Sequence, residues 1–299
     1  MSAITFLHAG LHKTASTSFQ ETCAKNRKLL ENRGFNYPSL YEKNDGTKTS
    51  NHSEALFNTF SNTPFKYHLN AGKSLSSIKS NILAYKRSLL KALLNKENLI
   101  LSGEDVSDLN PEEQESLAVY LSSFSNALKT FAIIRSPYSL HCSAFAGMIN
   151  NGRNLDPTSF PSQINKIKRL QNSFRQRGNI QGIKFFPFAT AVKSSKGPNK
   201  FLLEAMGAKS LEKLVELEEN KGISNEQTRS QMKINSTHPR LIEITINKNW
   251  RRSPKTDGRK FLLYKNELKM IMPELSAENE WFEKNLGKDF CDTSFETID

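Results

Sequence analysis

The sequence predicts an α/β protein with a mainly parallel central sheet flanked by helices and a helical C-terminal part. Three observations carry this: short apolar runs of the kind a strand buried on both faces needs, amphipathic stripes at helical spacing between those runs, and capping signals where the stripes begin. Residues 4–9 (ITFLHA) are nearly all apolar and read as the first strand. Phe19, Cys23 and Leu30 then recur at helical spacing before Gly34, so the order is strand, turn, helix. Residues 35–75 are rich in Asn, Ser, Thr, Lys and Gly without periodicity and read as a long surface excursion with at most short helices, a length that often accompanies function. Ile78, Ile82, Tyr85, Leu89 and Leu93 form an apolar stripe that predicts a helix.

Residues 98–102 (NLILS) read as a second buried strand. Asn110, Pro111 and Glu113 supply an N-cap, a first-turn proline and a capping-box carboxylate for a helix carrying Leu117, Tyr120, Leu121 and Phe124. Residues 130–134 (TFAII) are the third strand; Arg135 follows it, and Pro137 opens a helix that stops near Gly152. Residues 183–188 (IKFFPF) are a fourth strand, which Pro187 pushes to an edge or an early end. About 220–290 reads as mostly helical, with a capping-box candidate at Ser224 and Gln227 and a long segment near 259–272 that leads to Pro273. Asp289, Asp292, Glu296 and Asp299 follow the last cation, Lys288, and suggest a solvated tail. With no repeat and no Pro/Gly-rich hinge, one domain over 1–299 is expected, with an insertion at about 35–75.

A chain of 299 residues can bury ~75% of its extended surface, so a sizeable core is available. The longest apolar run, 117–121, is far short of the roughly 20 residues of a membrane span and the about 7–15 of a signal-peptide core. A soluble, cytoplasmic protein is expected, with contact at a membrane surface left open. Cys23, Cys142 and Cys291 are odd in number and far apart, without a C-x-x-C or a local His at the spacing of a zinc pattern. They read as reduced structural thiols, and no metal site is expected. The 42 Lys and Arg against 30 Asp and Glu leave +12, which attracts anions without separating nucleic acid, nucleotide or acidic glycan.

The turn after the first strand is the most informative stretch. Gly10 to Ser18 (GLHKTASTS) is packed with small residues, hydroxyls and one Lys. Small side chains let backbone N–H groups close on phosphate oxygens, a helix N-terminus adds its dipole, and an ammonium completes the cradle. The competing reading is an ordinary Ser/Thr-rich cap beside a solvated Lys. A nucleoside-triphosphate loop needs Gly immediately before the Lys and six residues before it; those positions hold His12 and Leu7.

Lys13-Thr14-Ala15-Ser16-Thr17-Ser18-Phe19 closely resembles the 5′-phosphosulfate loop of sulfotransferases, in a form associated with glycan 2-O-sulfotransferases, and Gly10-Leu11-His12-Lys13-Thr14 is similar to bacterial members. A second motif stands in the family's order: Arg135-Ser136-Pro137 after a strand, with Ser143 eight residues beyond the Arg. The resemblance is specific at 10–19 and 135–143 and diffuse elsewhere, including 99–109, 182–188, 206–207 and 285–290. It implies a P-loop-like sulfotransferase fold and 3′-phosphoadenosine 5′-phosphosulfate as donor, with no metal required. The donor set it implies is His12, Lys13, Thr14, Ala15, Ser16, Thr17, Ser18, Arg135 and Ser143, with Lys13 facing the charge of the leaving phosphate and Arg135 and Ser143 gripping the 3′-phosphate. Glu104 is the preferred general base, with His52 and His68 as rivals; the side chain of His12 is expected to point away from Lys13. Ala15 and Ser136 stand where many relatives have Gly and Asp.

Two basic stretches, Lys166 to Arg177 and Lys248 to Lys260, read as solvated helix faces or, in the second case, as a surface for an acidic acceptor, with Trp250 as a stacking face. The leading expectation is transfer of a sulfuryl group to a hydroxyl of a saccharide or glycolipid. A nucleotide-dependent kinase with a degenerate phosphate loop is one alternative. A basic nucleic-acid binder is another, disfavoured because the cations are not interleaved with aromatics.

Overall fold

Apolar strands that alternate with helices have one economical solution, a parallel sheet with helices on its faces. The computed structural model, which describes residues 3–41, 48–195, 197–218, 222–238, 240–242, 245–246 and 249–298, takes that solution. The chain groups into two compact units, Met1–Ile134 with Ile164–Glu219, and Arg135–Gln163 with Asn220–Asp299.

The first unit is built on β1 (Thr5–Ala9), β2 (Phe35–Asn36), β3 (Asn98–Gly103), β4 (Leu128–Ile134) and β5 (Ile180–Pro187), all parallel in the order β2-β3-β1-β4-β5. Every residue of central β1 is buried, which is why its sequence is continuous rather than alternating. β5 lies at the edge, where Pro187 ends it without orphaning a ladder partner. The two-residue β2 has no apolar run and was not predicted. Phe6 and Phe131 project to one face and pack with Phe19 and Cys23 of α1 (Ser16–Lys25) and with Phe35 and Leu202. His8 is fully buried on this strand, stacked 5.1 Å from Phe131 with Nδ1 2.8 Å from Ser102 Oγ; burial lowers its pKa to about 4, so it is neutral.

The helices of this unit are α1, α2 (Arg27–Glu31), α3 (Ser53–Phe60), α4 (Leu75–Leu93) and α5 (Pro111–Ser123). After the return of the chain come α7 (Ile164–Ser173), α8 (Phe188–Lys193) and α9 (Pro198–Ala205), while α6 (Pro137–Asn150) belongs to the second unit. α4 buries Ile78, Tyr85, Leu89 and Leu93 of the predicted stripe. α5 carries the expected reciprocal box: Glu113 N–H donates to Asn110 Oδ1 at 2.9 Å, and Asn110 N–H to Glu113 Oε2 at 2.9 Å.

The stretch 35–75 corrects its expected surface character. Its helices are short, as predicted, but Tyr37, Leu40, His52, Leu56 and Asn70 are buried. It packs so closely that a Cβ on Gly103 would lie 3.2 Å from Ser53 Cα. Buried polar side chains without periodicity hid this layer, in which hydrogen bonds join a few scattered apolar anchors.

The second unit contains α6 (Pro137–Asn150), α10 (Asn225–Thr237), a short antiparallel pair β6 (Leu241–Ile242) and β7 (Thr245–Ile246), and α11 (Lys265–Asn285). Tyr138, Phe145 and Ile149 of α6 pack with Phe261, Leu263, Ile271 and Leu275. Gln227 N–H donates to Ser224 Oγ at 3.1 Å, half of the expected box. Two corrections arise here. The helix expected to lead up to Pro273 starts later and runs through it, because Ile271, Leu275, Glu278 and Phe282 form one buried stripe whose packing outweighs the roughly 3 kcal/mol of an interior proline. The acidic tail is not simply solvated: Asp292 caps α6, Phe290 is buried, and Ile298 N–H donates to Leu263 O at 3.0 Å. Asp299 lies outside the described residues.

Candidate functional site

Between β1 and α1 the chain folds into a tight turn whose backbone is unusual. Lys13 has φ +67° and Ala15 φ +63°, with Thr14 between them on the negative side. A left-handed conformation costs a non-glycine residue about 1–2 kcal/mol. Alternation in the sign of φ directs successive N–H groups into one concavity, the arrangement that receives anions. Ala15 is also the N-cap of α1, with no side-chain cap and no acid in the first turn, so the positive end of the helix is left to whatever the concavity holds. Thr14 is buried and its hydroxyl donates to Leu11 O at 2.5 Å, which pins the turn and gives that hydroxyl a structural task. Gly10 is needed for space: a Cβ there would come 2.7 Å from Ser16 Oγ and 3.2 Å from Glu104 Cγ. Ser16 and Ser18 are buried at the start of the helix and Thr17 is half-buried.

Strand order places this turn at a favoured position. β1 connects leftward to β2 and β4 rightward to β5, so the exits of these two adjacent strands form the switch point of the sheet, where ligands of open α/β proteins bind.

The neighbouring strand β3 runs directly into a 3-10 turn at Glu104–Asp108, which faces the loop. His12 Nδ1 lies 3.2 Å from Glu104 Oε2 and its Nε2 3.0 Å from Asp108 Oδ2. Hydrogen bonds to Asp108 and then Glu104 raise His12 to about 10, over the opposing effect of burial, so it is an imidazolium. Burial pushes the Glu104 carboxyl up, but the His12 bond and charge, with a hydrogen bond from Ser16, outweigh it and hold the group ionised. Asp108 is likewise opposed by burial yet lowered to about 2 by His12 and Lys166, which also bonds it. Asp105 goes the other way, raised by burial although the Tyr67 hydroxyl donates to it. His12, Asp105 and Asp108 could bring ligand atoms within 4.8 Å of one another.

His12 therefore departs from its place in the expected donor set: its ring serves the acidic turn rather than a phosphate. His52 is corrected as a candidate base. It is fully buried, stacked 4.7 Å from Tyr37, with Ser102 N–H donating to Nδ1 at 3.1 Å and Nε2 donating to Pro38 O at 2.8 Å. Both ring nitrogens are spent on backbone, and burial lowers its pKa to about 4. His68 is exposed, edge-on to Tyr67. The residue missed here is Ser53, whose Oγ accepts the Glu104 N–H at 2.8 Å and so aims the acidic turn; Asn51 Oδ1 accepting Ser53 N–H at 2.7 Å was the legible signal, an Asx turn ahead of α3.

In the second unit, Arg135 stands at the N-terminus of α6. Its Nε donates to Ser139 Oγ at 2.7 Å, and its carbonyl accepts from Gln163 Nε2 at 2.7 Å. Burial lowers the Arg135 pKa from its ordinary value, with the Asp292 charge among the opposing influences. The hydroxyl that meets Arg135 is thus Ser139, one turn along; Ser143, two turns along, is half-buried and has no hydrogen-bond partner among the described residues.

Much of the first basic stretch is engaged within its own unit. Lys166 bonds Asp108, Arg169 donates to Ser107 O at 3.1 Å, and Arg177 lies 2.9 Å from Glu115. In the second stretch, Lys248 lies outside the described residues. Trp250 is flanked by Arg240 and Arg252, 5.2 and 5.7 Å from its ring, and its Nε1 donates to Asn235 Oδ1 at 2.9 Å.

No protein-family model matches the chain, and no curated protein matches it. Among solved structures it is similar to the sulfotransferase domain from the curacin biosynthetic pathway, at 15% identity over 71% of this chain and 76% of that one, with a TM-score of 0.39. It is also similar to retinol dehydratase in complex with androsterone and the inactive cofactor PAP, at 11% identity over 99% and 83%, with a TM-score of 0.35. A third likeness is to a chain of the PezAT toxin-antitoxin system of Streptococcus pneumoniae, at 9% identity over 79% and 84%, with a TM-score of 0.34. These likenesses are weak, and the function is read from the residues. Among the described residues, no helix is long and apolar enough to cross a membrane.

Proposed function

We propose that this protein is a sulfotransferase that moves a sulfuryl group from 3′-phosphoadenosine 5′-phosphosulfate to a hydroxyl of a saccharide or glycolipid, in the cytoplasm and without a metal. The observation that supports this most is the turn at Lys13 to Ala15, where alternating φ and an uncapped helix start meet the phosphosulfate-loop motif. The residues fit a dianionic 5′ group: N–H donors converge, an ammonium stands in the turn, and the first turn of α1 carries no acid to repel it. The donor supplies the activated sulfur–oxygen bond.

Lys13 neutralises charge on the oxygen left behind, which preorganised cations do most effectively where water is excluded. The N–H groups from Thr14 to Ser18 hold the 5′-phosphate, with the hydroxyls of Ser16, Thr17 and Ser18 beside them. Glu104 accepts the proton of the attacking hydroxyl, while His12 and Ser53 fix its direction. Arg135 and Ser143 take the 3′-phosphate, Arg135 offering the planar fork that phosphate recognition favours.

Calorimetric titration with 3′-phosphoadenosine 5′-phosphate tests the reading, with ATP and magnesium, and a DNA duplex, as parallel arms. Binding of the bisphosphate alone is the expected result. Binding only of ATP with magnesium would make the chain a kinase-type enzyme, and salt-steep binding of DNA alone a nucleic-acid binder. Acceptors are then sought by transfer of labelled sulfate to saccharide and glycolipid panels.

A further inference from the structure

Helix α6 starts without a cap of its own. Its N-cap is Ser136, whose side chain makes no bond to the helix, and the first turn has no acid. Four N–H groups at a helix start need partners from elsewhere. The first helical residue is Pro137, which has none to offer. Tyr138 N–H donates to Asp292 Oδ2 at 2.7 Å and Ser139 N–H to Asp292 Oδ1 at 3.4 Å; Leu140 N–H makes the first intrahelical bond, to Ser136 O at 2.8 Å. The Ser136 hydroxyl, free of capping duty, donates to the same Asp292 Oδ1 at 2.5 Å. One carboxylate, 156 residues along the chain, thus satisfies the start of the helix and its cap residue together.

Asp292 is itself held. Its N–H donates to Asn279 Oδ1 at 2.9 Å, and Asn279 Nδ2 lies 3.5 Å from its Oδ2, which ties it to α11. Arg135 is one residue from Ser136, and its side chain is fixed by Ser139, whose own N–H is on Asp292. Its carbonyl is fixed by Gln163, whose N–H donates to the buried Glu278 of α11 at 3.1 Å.

We propose that the Asp292 carboxylate, reaching α6 from 156 residues along the chain, caps the helix in place of the Ser136 side chain and, through Ser136 and Ser139, is the positioning residue for Arg135. What Arg135 grips rests on the sulfotransferase reading above; the cap does not. An anion already occupies the start of α6, so a phosphate there depends on the guanidinium of Arg135 and on Ser143 rather than on the helix dipole.

The test uses the full chain with Asp292→Asn and with the double change Ser136→Asp and Asp292→Asn, which moves the carboxylate to the cap residue where Asp is among the best caps. Two measurements are made: affinity for 3′-phosphoadenosine 5′-phosphate against adenosine 5′-phosphate, and amide exchange at Tyr138 and Ser139. For Asp292→Asn the expected loss is about ten-fold for the bisphosphate and under about two-fold for the monophosphate, with faster exchange at both amides, on the scale of a lost cap. The double change restores the bisphosphate to within about three-fold and slows the exchange again. Equal losses for both nucleotides, no loss, or no rescue would overturn the positioning role. A wild-type chain that binds no bisphosphate refutes the donor reading instead, and exchange then judges the cap: unchanged rates at Tyr138 in Asp292→Asn overturn it.

Discussion

Lys13 and Ala15 hold side chains where glycine would be at ease, and the cost is placed where N–H groups converge. Ala15→Gly should therefore raise stability by about 1 kcal/mol in urea unfolding, since relief of the left-handed penalty exceeds the added freedom of the unfolded chain. No gain would mean the turn is unstrained. Lys13→Ala should reduce sulfuryl transfer to near background with the fold intact by circular dichroism; retained turnover would remove Lys13 from the chemistry. His12 has a raised pKa of about 10, against about 6.5 unfolded, so its contribution to stability is complete below pH 6.5 and fades as pH rises through 10. Asp108, lowered to about 2, contributes above about pH 3.9 and loses that contribution as pH falls through 2. His12→Gln should flatten the decline between pH 6.5 and 10 in unfolding series; an unchanged slope would detach His12 from its carboxylates.

At the level of elements, periodicity was legible and polar packing was not. The capping box at Asn110 and Glu113 could be read because it depends on neighbours three residues apart, and the strand, turn and helix over 5–25 because an apolar run and a helical stripe flank a stretch of small and hydroxyl residues. His52 misled because a histidine in a polar stretch looks solvated; nothing local says that Ser102, 50 residues away, will bind its ring. Asp292 misled for the same reason, since a carboxylate's partner on another helix has no spacing rule. Pro273 shows the reverse error, a strong local stop signal overruled by the buried stripe around it. Because Pro273 is exposed, Pro273→Ala loses little packing and regains a backbone bond; it should stabilise the protein by up to about 3 kcal/mol in urea unfolding. A neutral or negative change would show that the proline is accommodated without cost.

For the molecule as a whole, the net charge of +12 acts before any specific contact forms. The association rate for 3′-phosphoadenosine 5′-phosphate should fall as salt is raised, because the Debye length shrinks from about 10 Å at 0.1 M to about 3 Å at 1 M, while that of adenosine should stay flat. Stopped-flow titration separates the two; parallel behaviour would argue against steering. The α/β class and the four longer strands were readable from the chain, whereas their order in the sheet and the grouping into two units were not, since each unit is assembled from stretches far apart in sequence. That discontinuity has a bearing on synthesis. The chain leaves the sheet at Ile134 and rejoins it at Ile180, so during translation the outer side of β4 waits unpaired until β5 has emerged from the ribosome. The start of α6 waits longer still, for a carboxylate 156 residues further along the chain.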